Sequence, residues 1–448
     1  MKKKTGVYDT FNSAIFESVP TDALRILDFG CDTGNLGAAL KNQDSRRYVA
    51  GVEISNEPAS IAESRLDRLY RFNVEKDPLP EDEEPFDVII FADVLEHLYD
   101  PQACLEKILP MLSEHGIVLC CIPNIQHHSI ISGLLRGDFQ YKDTGLLDRT
   151  HIRFFTLSGI QKMFLDAGYL PRNIGEVSLP NEALCDDLAP VMEKLGCGVL
   201  NRKNMNTFQY VFSAKKQPNE YPQEETGGMT FVTCVNNHEV YADNLGVSPD
   251  IGEESKHRLL YWEGAPSAAA VYNQAFDSAN TEYICFVHQD VYLPKGWVAR
   301  VQQQLLSIRP EHDNWVAGVF GIRLDNGRES GTLVDRSVFL DRPPYPSEVG
   351  SLDEVLLVMP AKSRLRFDSA LGYHFFGTDI CLQAGRAGGV AFTLDAPCIH
   401  NSQTVDDKYP NAFYQSGVAL MKKWIEYPKL RTAVCRLTRL KDGRIEFH

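Results

Sequence analysis

Short apolar runs alternate with segments of helical period through the first half of the chain. LRILD from Leu24, YVAGVEI from Tyr48, FDVIIFA from Phe86 and GIVLCCI from Gly116 read as buried strands. Between them NLGAALKN, EPASIAESRLDRL and DPQACLEKILPML carry apolar residues at three- and four-residue spacing and read as helices. This alternation predicts a parallel, doubly wound α/β sheet, whose ligands sit at the carboxyl ends of the strands. The second half has the same character with less regularity. There YICFVHQD and WVAGVFGI predict strands, while SAAAVYNQAFDSA and GWVARVQQQLLSI predict helices.

The pattern breaks at QPNEYPQEETGG, where prolines, glycines and uncompensated glutamates follow the strand-like NTFQYVFSAKK. The expected organisation is therefore a domain over 1–216, a linker over 217–228 and a domain over 229–448. A length of 448 residues fits two or three domains. A composition of 44% hydrophobic and 23% charged residues fits folded globular domains. The net charge of -15 opposes attraction to a phosphate backbone, so nucleic acid is not an expected partner. No run approaches the ~18 apolar residues of a membrane span, and a cytoplasmic protein without a transmembrane segment is expected. Eleven cysteines without C-x-x-C spacing read as reduced core residues.

The segment ILDFGCDTGNLGAAL puts Asp28, Gly30 and Gly34 in a tight turn between strand and helix, and Glu53 ends the next strand. An acidic residue about 20 positions after such a turn suits a ribose diol, because a carboxylate accepts from both hydroxyls. Asp32 stands where a dinucleotide site needs glycine, and its charge would repel a pyrophosphate. S-adenosylmethionine has no phosphate and carries a sulfonium cation. ILDFGCDTG resembles the first motif of class I S-adenosylmethionine-dependent methyltransferases, commonly D-x-G-C-G-x-G. PFDVIIFADVLEHLYDP and GIVLCCIPN are similar to the family's fourth- and fifth-strand segments. The resemblance implies a Rossmann-like domain in which Gly30 and Gly34 give backbone contacts to the cofactor. It also implies that Glu53 holds the ribose, Asn73 and Val74 edge the adenine, and Asp93 lies near the methionine end.

Methyl transfer to a hydroxyl needs an aligned acceptor and a base, and histidine is the natural base near neutral pH. IPNIQHHSI supplies His127 and His128, and LLDRTHIRFFT supplies His151 beside Asp148 and Arg153. The latter string resembles a segment that closes over the active site in methyltransferases encoded with sugar-polymer enzymes. Glu96 and His97 read as a capped, solvated turn, with no metal assigned to them.

In the second half, YICFVHQDVYLPKGWV carries an apolar strand into His288 and Asp290. Residues two apart on a strand point to the same side and can share a cation. Imidazole and carboxylate donors suit Mn²⁺ or Mg²⁺ bridging a diphosphate. Asp379 heads a helical stretch in HFFGTDICLQA, and His400 follows a strand in CIHNS. These three segments, preceded by the helix around Asn273, resemble the family 2-like glycosyltransferases of the GT-A fold. The resemblance implies a metal motif at HQD, an acceptor-deprotonating base at Asp379 and a late metal- or diphosphate-binding histidine at His400. It places the CVNNHE loop toward the nucleotide. Trp262, Tyr292 and Trp297 are candidates for stacking on sugar rings.

The combined expectation is a bifunctional enzyme of surface glycan biosynthesis, with a Rossmann-like methyltransferase domain and a GT-A-like α/β glycosyltransferase domain. Its partners would be a nucleotide sugar donor and a glycan or glycolipid acceptor. The alternative is an active methyltransferase carrying a non-catalytic carbohydrate-binding module of glycosyltransferase-like fold, motivated by His288 in place of the first aspartate of a D-x-D motif.

Overall fold

The computed structural model describes residues 11–80, 82–194, 199–217, 227–251, 255–265, 267–308, 313–336, 338–402 and 409–448. Of the expected linker, residues 218–226 lie outside the described residues. The chain divides into two compact units, Met1–Pro218 and Asn219–His448. No helix among the described residues is long and apolar enough to cross a membrane.

The first unit is built on a sheet of seven strands: β1 (Arg25–Phe29), β2 (Tyr48–Val52), β3 (Arg68–Tyr70), β4 (Phe86–Ala92), β5 (Leu112–Pro123), β6 (Tyr169–Ser178) and β7 (Thr207–Lys216). Their order is β3-β2-β1-β4-β5-β7-β6. The first five are parallel, and β7 runs antiparallel to both β5 and β6. Alternate residues of the central strands bury on opposite faces. Leu27, Phe29, Ile89, Phe91, Val118 and Cys120 enter one core, and Ile26, Val49, Val88, Ile90 and Leu119 enter the other. Helices cover both faces, which is why these strands read as continuous apolar runs. The strand order reverses between β1 and β4, so the crevice for a ligand opens where these two strands end, at Gly30 and Asp93.

The predicted helix EPASIAESRLDRL stops early, at Ala62. Asp67 holds the chain in another path: its N–H donates to Val49 O at 3.0 Å, and its carboxylate accepts from Val49 N at 2.8 Å. RLY then joins the sheet edge as β3.

The second unit opens with β8 (Met229–Val235), which pairs in parallel with β9 (Arg258–Glu263) and β10 (Tyr283–Val287). Helix Ala268–Ser278 makes the crossover from β9 to β10. On its other edge β10 pairs antiparallel with Leu356–Pro360, so this sheet is mixed. WVAGVFGI, expected as one strand, divides at Val319 into Val316–Gly318 and Phe320–Arg323. The Val319 carbonyl turns aside to accept the Thr332 N–H at 2.9 Å. Gly331, at φ +121, admits that approach, since a Cβ there would lie 2.0 Å from Val319 O. A short three-stranded sheet and helix Asn411–Lys423 pack a separate core around Trp424.

Candidate functional site

In the first unit, β1 ends in a turn held to β2. The N–H groups of Gly30 and Cys31 both donate to Val52 O, at 2.9 and 3.1 Å. Gly30 and Gly34 adopt φ of +68 and +76, open to glycine at no steric cost, and Asp32 adopts +48 between them. Glu53, just past β2, turns its carboxylate into this bend. Its Oε2 accepts from Asp32 N at 3.1 Å and its Oε1 from Ser55 N at 2.7 Å. Asp28 is buried beneath the turn, where burial, and then the nearby charge of Glu53, push it up to about 7. Val74 is buried, and Asn73 caps its own turn by accepting from Glu75 N at 2.9 Å.

Asp93 ends β4 in the left-handed region, at φ +56. Its carboxylate accepts from the Gln209 side chain and from Asn12, and burial raises its pKa. Neither partner is marked by any motif, because both arrive from distant segments.

The turn after Asp93 differs from the solvated one expected. Glu96 is 1% exposed, and both its carboxylate oxygens lack a hydrogen-bond partner among the described residues. Burial, then Asp93, pushes it up to about 8, so it is largely protonated at neutral pH. The backbone carbonyl of Glu96 accepts from Ile152 N at 2.9 Å and Arg153 N at 3.1 Å, which fastens the LLDRTHIRFF segment here. This brings in His151. Its Nδ1–H donates to Leu146 O at 3.1 Å, leaving the Nε2 lone pair 3.9 Å from Glu96 Oε1. His97 likewise donates from Nδ1 to Thr150 O at 3.1 Å. Donor atoms of Glu96, His97 and His151 lie within 4.8 Å of one another.

His127 and His128 stand apart from this group. Both imidazoles lie against Leu179 O, at 3.1 and 2.8 Å from their Nε2 atoms, and their rings touch at 4.0 Å. The other nitrogen of His127 lies 2.8 Å from the Ser129 hydroxyl and accepts from Ser129 N, so His127 caps helix His128–Leu135. Both ring nitrogens of His127 are thus engaged within the protein.

In the second unit, β10 stops at Val287 and residues 288–290 form a turn rather than a strand end, with Val291 N donating to His288 O at 3.3 Å. His400 arrives through a short strand that pairs Val291 on one side and Asp335 on the other. The result brings His288, Asp290 and His400 together, with donor atoms within 4.8 Å of one another. His400 Nε2 lies 3.5 Å from Asp290 and its Nδ1 lies 2.8 Å from Asp335. Burial disfavours the imidazolium, but hydrogen bonds to the two carboxylates outweigh it and raise His400 to about 10. Burial likewise opposes the charge of Asp290, yet His400 and then His288 hold it at about 2. Burial lowers His288. A cavity of about 360 Å³ opens beside this trio, lined by Asn236, Tyr272, Gln289 and Tyr373 together with His288 and Asp290. Gln289 accepts from Asn236 N and Asn237 N, at 3.0 and 3.1 Å, which fixes the CVNNHE loop at its rim.

Asp379 does not join them in that cavity wall. It is 0% exposed and its oxygens are engaged inside the protein, by Trp424 Nε1 at 2.7 Å, Gln383 Nε2 at 2.7 Å and Lys423 Nζ at 2.8 Å. A carboxylate so enclosed turns no free face toward an acceptor hydroxyl in this structure. Asn273 is also structural: its amide donates to Phe367 O and accepts from Phe367 N, at 2.8 and 2.9 Å. Trp297 and Tyr292 are core residues, 1% and 4% exposed, and are not stacking platforms.

Residues 10–171 match the family model of a methyltransferase domain, so the N-terminal region carries such a domain. The chain is similar to the ubiquinone biosynthesis O-methyltransferase of Xylella fastidiosa (strain 9a5c), 29% identical over 144 residues, or 29% of this chain and 58% of that protein. It is similar to the enzyme of the same description from Maricaulis maris (strain MCS10), 30% identical over 112 residues, or 23% of this chain and 42% of that one. The chain thus spans less than two thirds of the length of these curated relatives. Among solved structures, the plantazolicin methyltransferase BpumL in complex with SAH is 19% identical, with a TM-score of 0.32, over 47% of this chain and 82% of that one. The YcgJ protein from Bacillus subtilis is 17% identical, with a TM-score of 0.32, over 46% of this chain and 97% of that one.

Proposed function

We propose that the first unit transfers a methyl group from S-adenosylmethionine to a hydroxyl, as an expected step in building a surface glycan. Support comes from the methyltransferase-domain match and from Glu53, whose carboxylate sits on the glycine bend at the sheet's reversal point. In this reading Gly30 and Gly34 admit the donor, Glu53 holds its ribose, Val74 edges its adenine, and Asp93 faces its methionine end. The donor, when bound, supplies a methyl group activated by the positive sulfur. His151 is the base, since burial lowers its pKa and keeps the imidazole neutral at pH 7 with its Nε2 lone pair turned toward Glu96.

For the second unit we propose glycosyl transfer from a nucleotide sugar to a glycan or glycolipid. The observation that carries it is the meeting of His288, Asp290 and His400 at the edge of a 360 Å³ cavity. Two imidazoles and a carboxylate fit Mn²⁺ or Mg²⁺ with diphosphate oxygens filling the remaining positions. Such an ion, when bound, would neutralise charge on the departing diphosphate. A second reading, a carbohydrate-binding module without turnover, is favoured by one fact: Lys423, Gln383 and Trp424 enclose Asp379.

A melting-shift screen of the full chain separates these readings. S-adenosylmethionine or S-adenosylhomocysteine should raise a transition, by about 2.7 kcal/mol at 100 times the dissociation constant. UDP, GDP or dTDP should raise one only with Mn²⁺. A shift with S-adenosylhomocysteine alone, and no release of nucleoside diphosphate from any donor, would leave the second unit a binding module.

A further inference from the structure

We propose that Tyr373 is the wall on which the transferred sugar of the donor stacks, an inference that rests on the glycosyl-transfer reading of the second unit. The cavity beside His288 and Asp290 has two aromatic residues in its lining, Tyr272 and Tyr373. Tyr272 is 2% exposed and packs on Phe286 and Phe367, with ring centroids at 4.8 and 5.3 Å, so it belongs to the core. Tyr373 is 43% exposed and borders the same volume as the proposed ion ligands. A sugar is the next group along a donor whose diphosphate is held at that ion, and it falls in this volume.

The local sequence turns Tyr373 outward. In LGYHFF, Leu371 and Phe375 are each 1% exposed and enter the core around Trp424, where the Phe375 ring meets Phe413 at 4.6 Å. The Leu371 carbonyl accepts from the Ser416 hydroxyl at 2.8 Å and from the His374 N–H at 3.1 Å. Between these anchors the backbone passes through left-handed φ at Gly372, +61, and at Phe375, +62. A phenylalanine there is strained, and such a conformation persists where the surrounding packing over-determines it. The turn therefore presents Tyr373 on a fixed backbone.

The side chain is held at its far end as well. Its hydroxyl donates to the carbonyl of Ala265, which follows β9 and lines the same cavity. With the backbone and the hydroxyl both held, the ring has little rotamer freedom left to lose when a ligand lies on it. Gly264, Ala265 and Ala268 bring little side chain into the lining, and the cavity of about 360 Å³ stays open to a ring. A pyranose has an apolar C–H face and a rim of hydroxyls. The negative face of a phenol ring meets the first and leaves the second to polar partners. The role expected of Tyr292 and Trp297, which the core claims, thus passes to a residue that faces the cavity.

The test is calorimetric titration of the full chain with Mn²⁺, as wild type, Tyr373→Phe, Tyr373→Leu and Tyr373→Ala. The probes are UDP, dTDP and GDP, and the sugar nucleotides UDP-glucose, UDP-N-acetylglucosamine, dTDP-glucose and GDP-mannose. Each bare diphosphate lacks only the sugar, so a change in the ratio of the two dissociation constants isolates contact with the sugar. Tyr373→Ala and Tyr373→Leu should bind the diphosphate as wild type does and lose about tenfold for the sugar nucleotide. Tyr373→Phe keeps the ring, gives up only the bond to Ala265, and should stay within about threefold of wild type for both probes. Sugar-nucleotide affinity of Tyr373→Ala within about threefold of wild type overturns the assignment. Equal losses for diphosphate and sugar nucleotide overturn it too, since they mark a structural brace, as does a loss in Tyr373→Phe as large as in Tyr373→Ala, which assigns the effect to the hydroxyl. Wild-type protein that binds a diphosphate and none of the sugar nucleotides leaves no sugar for the ring and also overturns it. Wild-type protein that binds neither class of probe overturns the glycosyl-transfer reading beneath it.

Discussion

Lys423 reaches the buried carboxylate of Asp379, its Nζ 2.8 Å from Oδ1, and also holds Asp368 at 2.8 Å. Trp424, the next residue, donates to the same carboxylate through Nε1 at 2.7 Å. Asp379 therefore ties helix Phe376–Arg386 to the end of helix Asn411–Lys423. Asp379→Ala strands an indole N–H and removes one partner of a half-buried ion pair. It should cost about 3 kcal/mol in urea unfolding. Folded Asp379→Ala should still bind nucleoside diphosphate with Mn²⁺. A variant of wild-type stability with no turnover would restore Asp379 to the chemistry.

The His400 imidazole is held protonated by Asp290 and Asp335, with its pKa near 10. A cation that takes His400 as a ligand must displace that proton. His288, lowered by burial, is already neutral and adds no proton to the exchange. Mn²⁺ affinity should therefore rise about tenfold per pH unit between roughly pH 6.5 and 9. Titration calorimetry in buffers of different ionisation enthalpy should count about one proton released. His400→Gln should bind more weakly and without that slope. A wild-type affinity flat across this range would remove His400 from the ligand set.

Asp28 gives the first unit a pH dependence of its own. Its folded value of about 7 lies above the ordinary 3.8, so the folded state holds a proton that the unfolded chain gives up. That contribution to stability is complete below pH 4 and is lost as the pH rises through 7. Asp28→Asn should flatten this part of the stability profile. A cationic donor seated near Asp28 favours its ionised form, so S-adenosylmethionine affinity should climb between pH 6 and 8 more than that of uncharged-sulfur S-adenosylhomocysteine. Equal slopes for the two ligands, measured by calorimetry, would place the sulfonium elsewhere.

Local signals were enough to read β1, β2, β4 and β5, because these strands are buried and leave unbroken apolar runs such as FDVIIFA, whereas the edge strands β3 and β6 are half-exposed and carry no such run. Gly30 and Gly34 were legible for a similar reason: left-handed φ leaves glycine as the easiest choice. Interior against cleft was not legible. An aspartate at the head of a helix reads the same in either place, and the burial of Asp379 is decided by Lys423 and Trp424, 44 and 45 positions later. Glu354 in LDEVL looks like an ordinary acidic turn before a strand, and only the fold sets it against Gly377. Glu96 has the opposite history, since a charged residue in a 3₁₀ turn reads as solvated until the His151 segment closes over it. Strands Glu329–Asp335 and Ser347–Leu352 passed unrecognised because they are rich in glycine and serine, with little apolar alternation.

Glu53 joins two roles that mutation can separate. Its carboxylate accepts from the N–H of Asp32 and of Ser55, so it braces a bend in which Asp32 holds φ +48. In the proposed complex the same oxygens receive the ribose hydroxyls. Glu53→Ala removes both acceptors and should cost about 1–3 kcal/mol of stability in addition to ligand affinity. Glu53→Gln keeps one carbonyl oxygen for the backbone but offers the diol an N–H₂ where a lone pair stood. Its melting temperature should stay close to wild type while S-adenosylhomocysteine affinity falls at least tenfold. Calorimetric titration alongside thermal unfolding distinguishes the cases. If Glu53→Gln binds S-adenosylhomocysteine as tightly as wild type, Glu53 is a brace for the turn and the ribose lies against other residues.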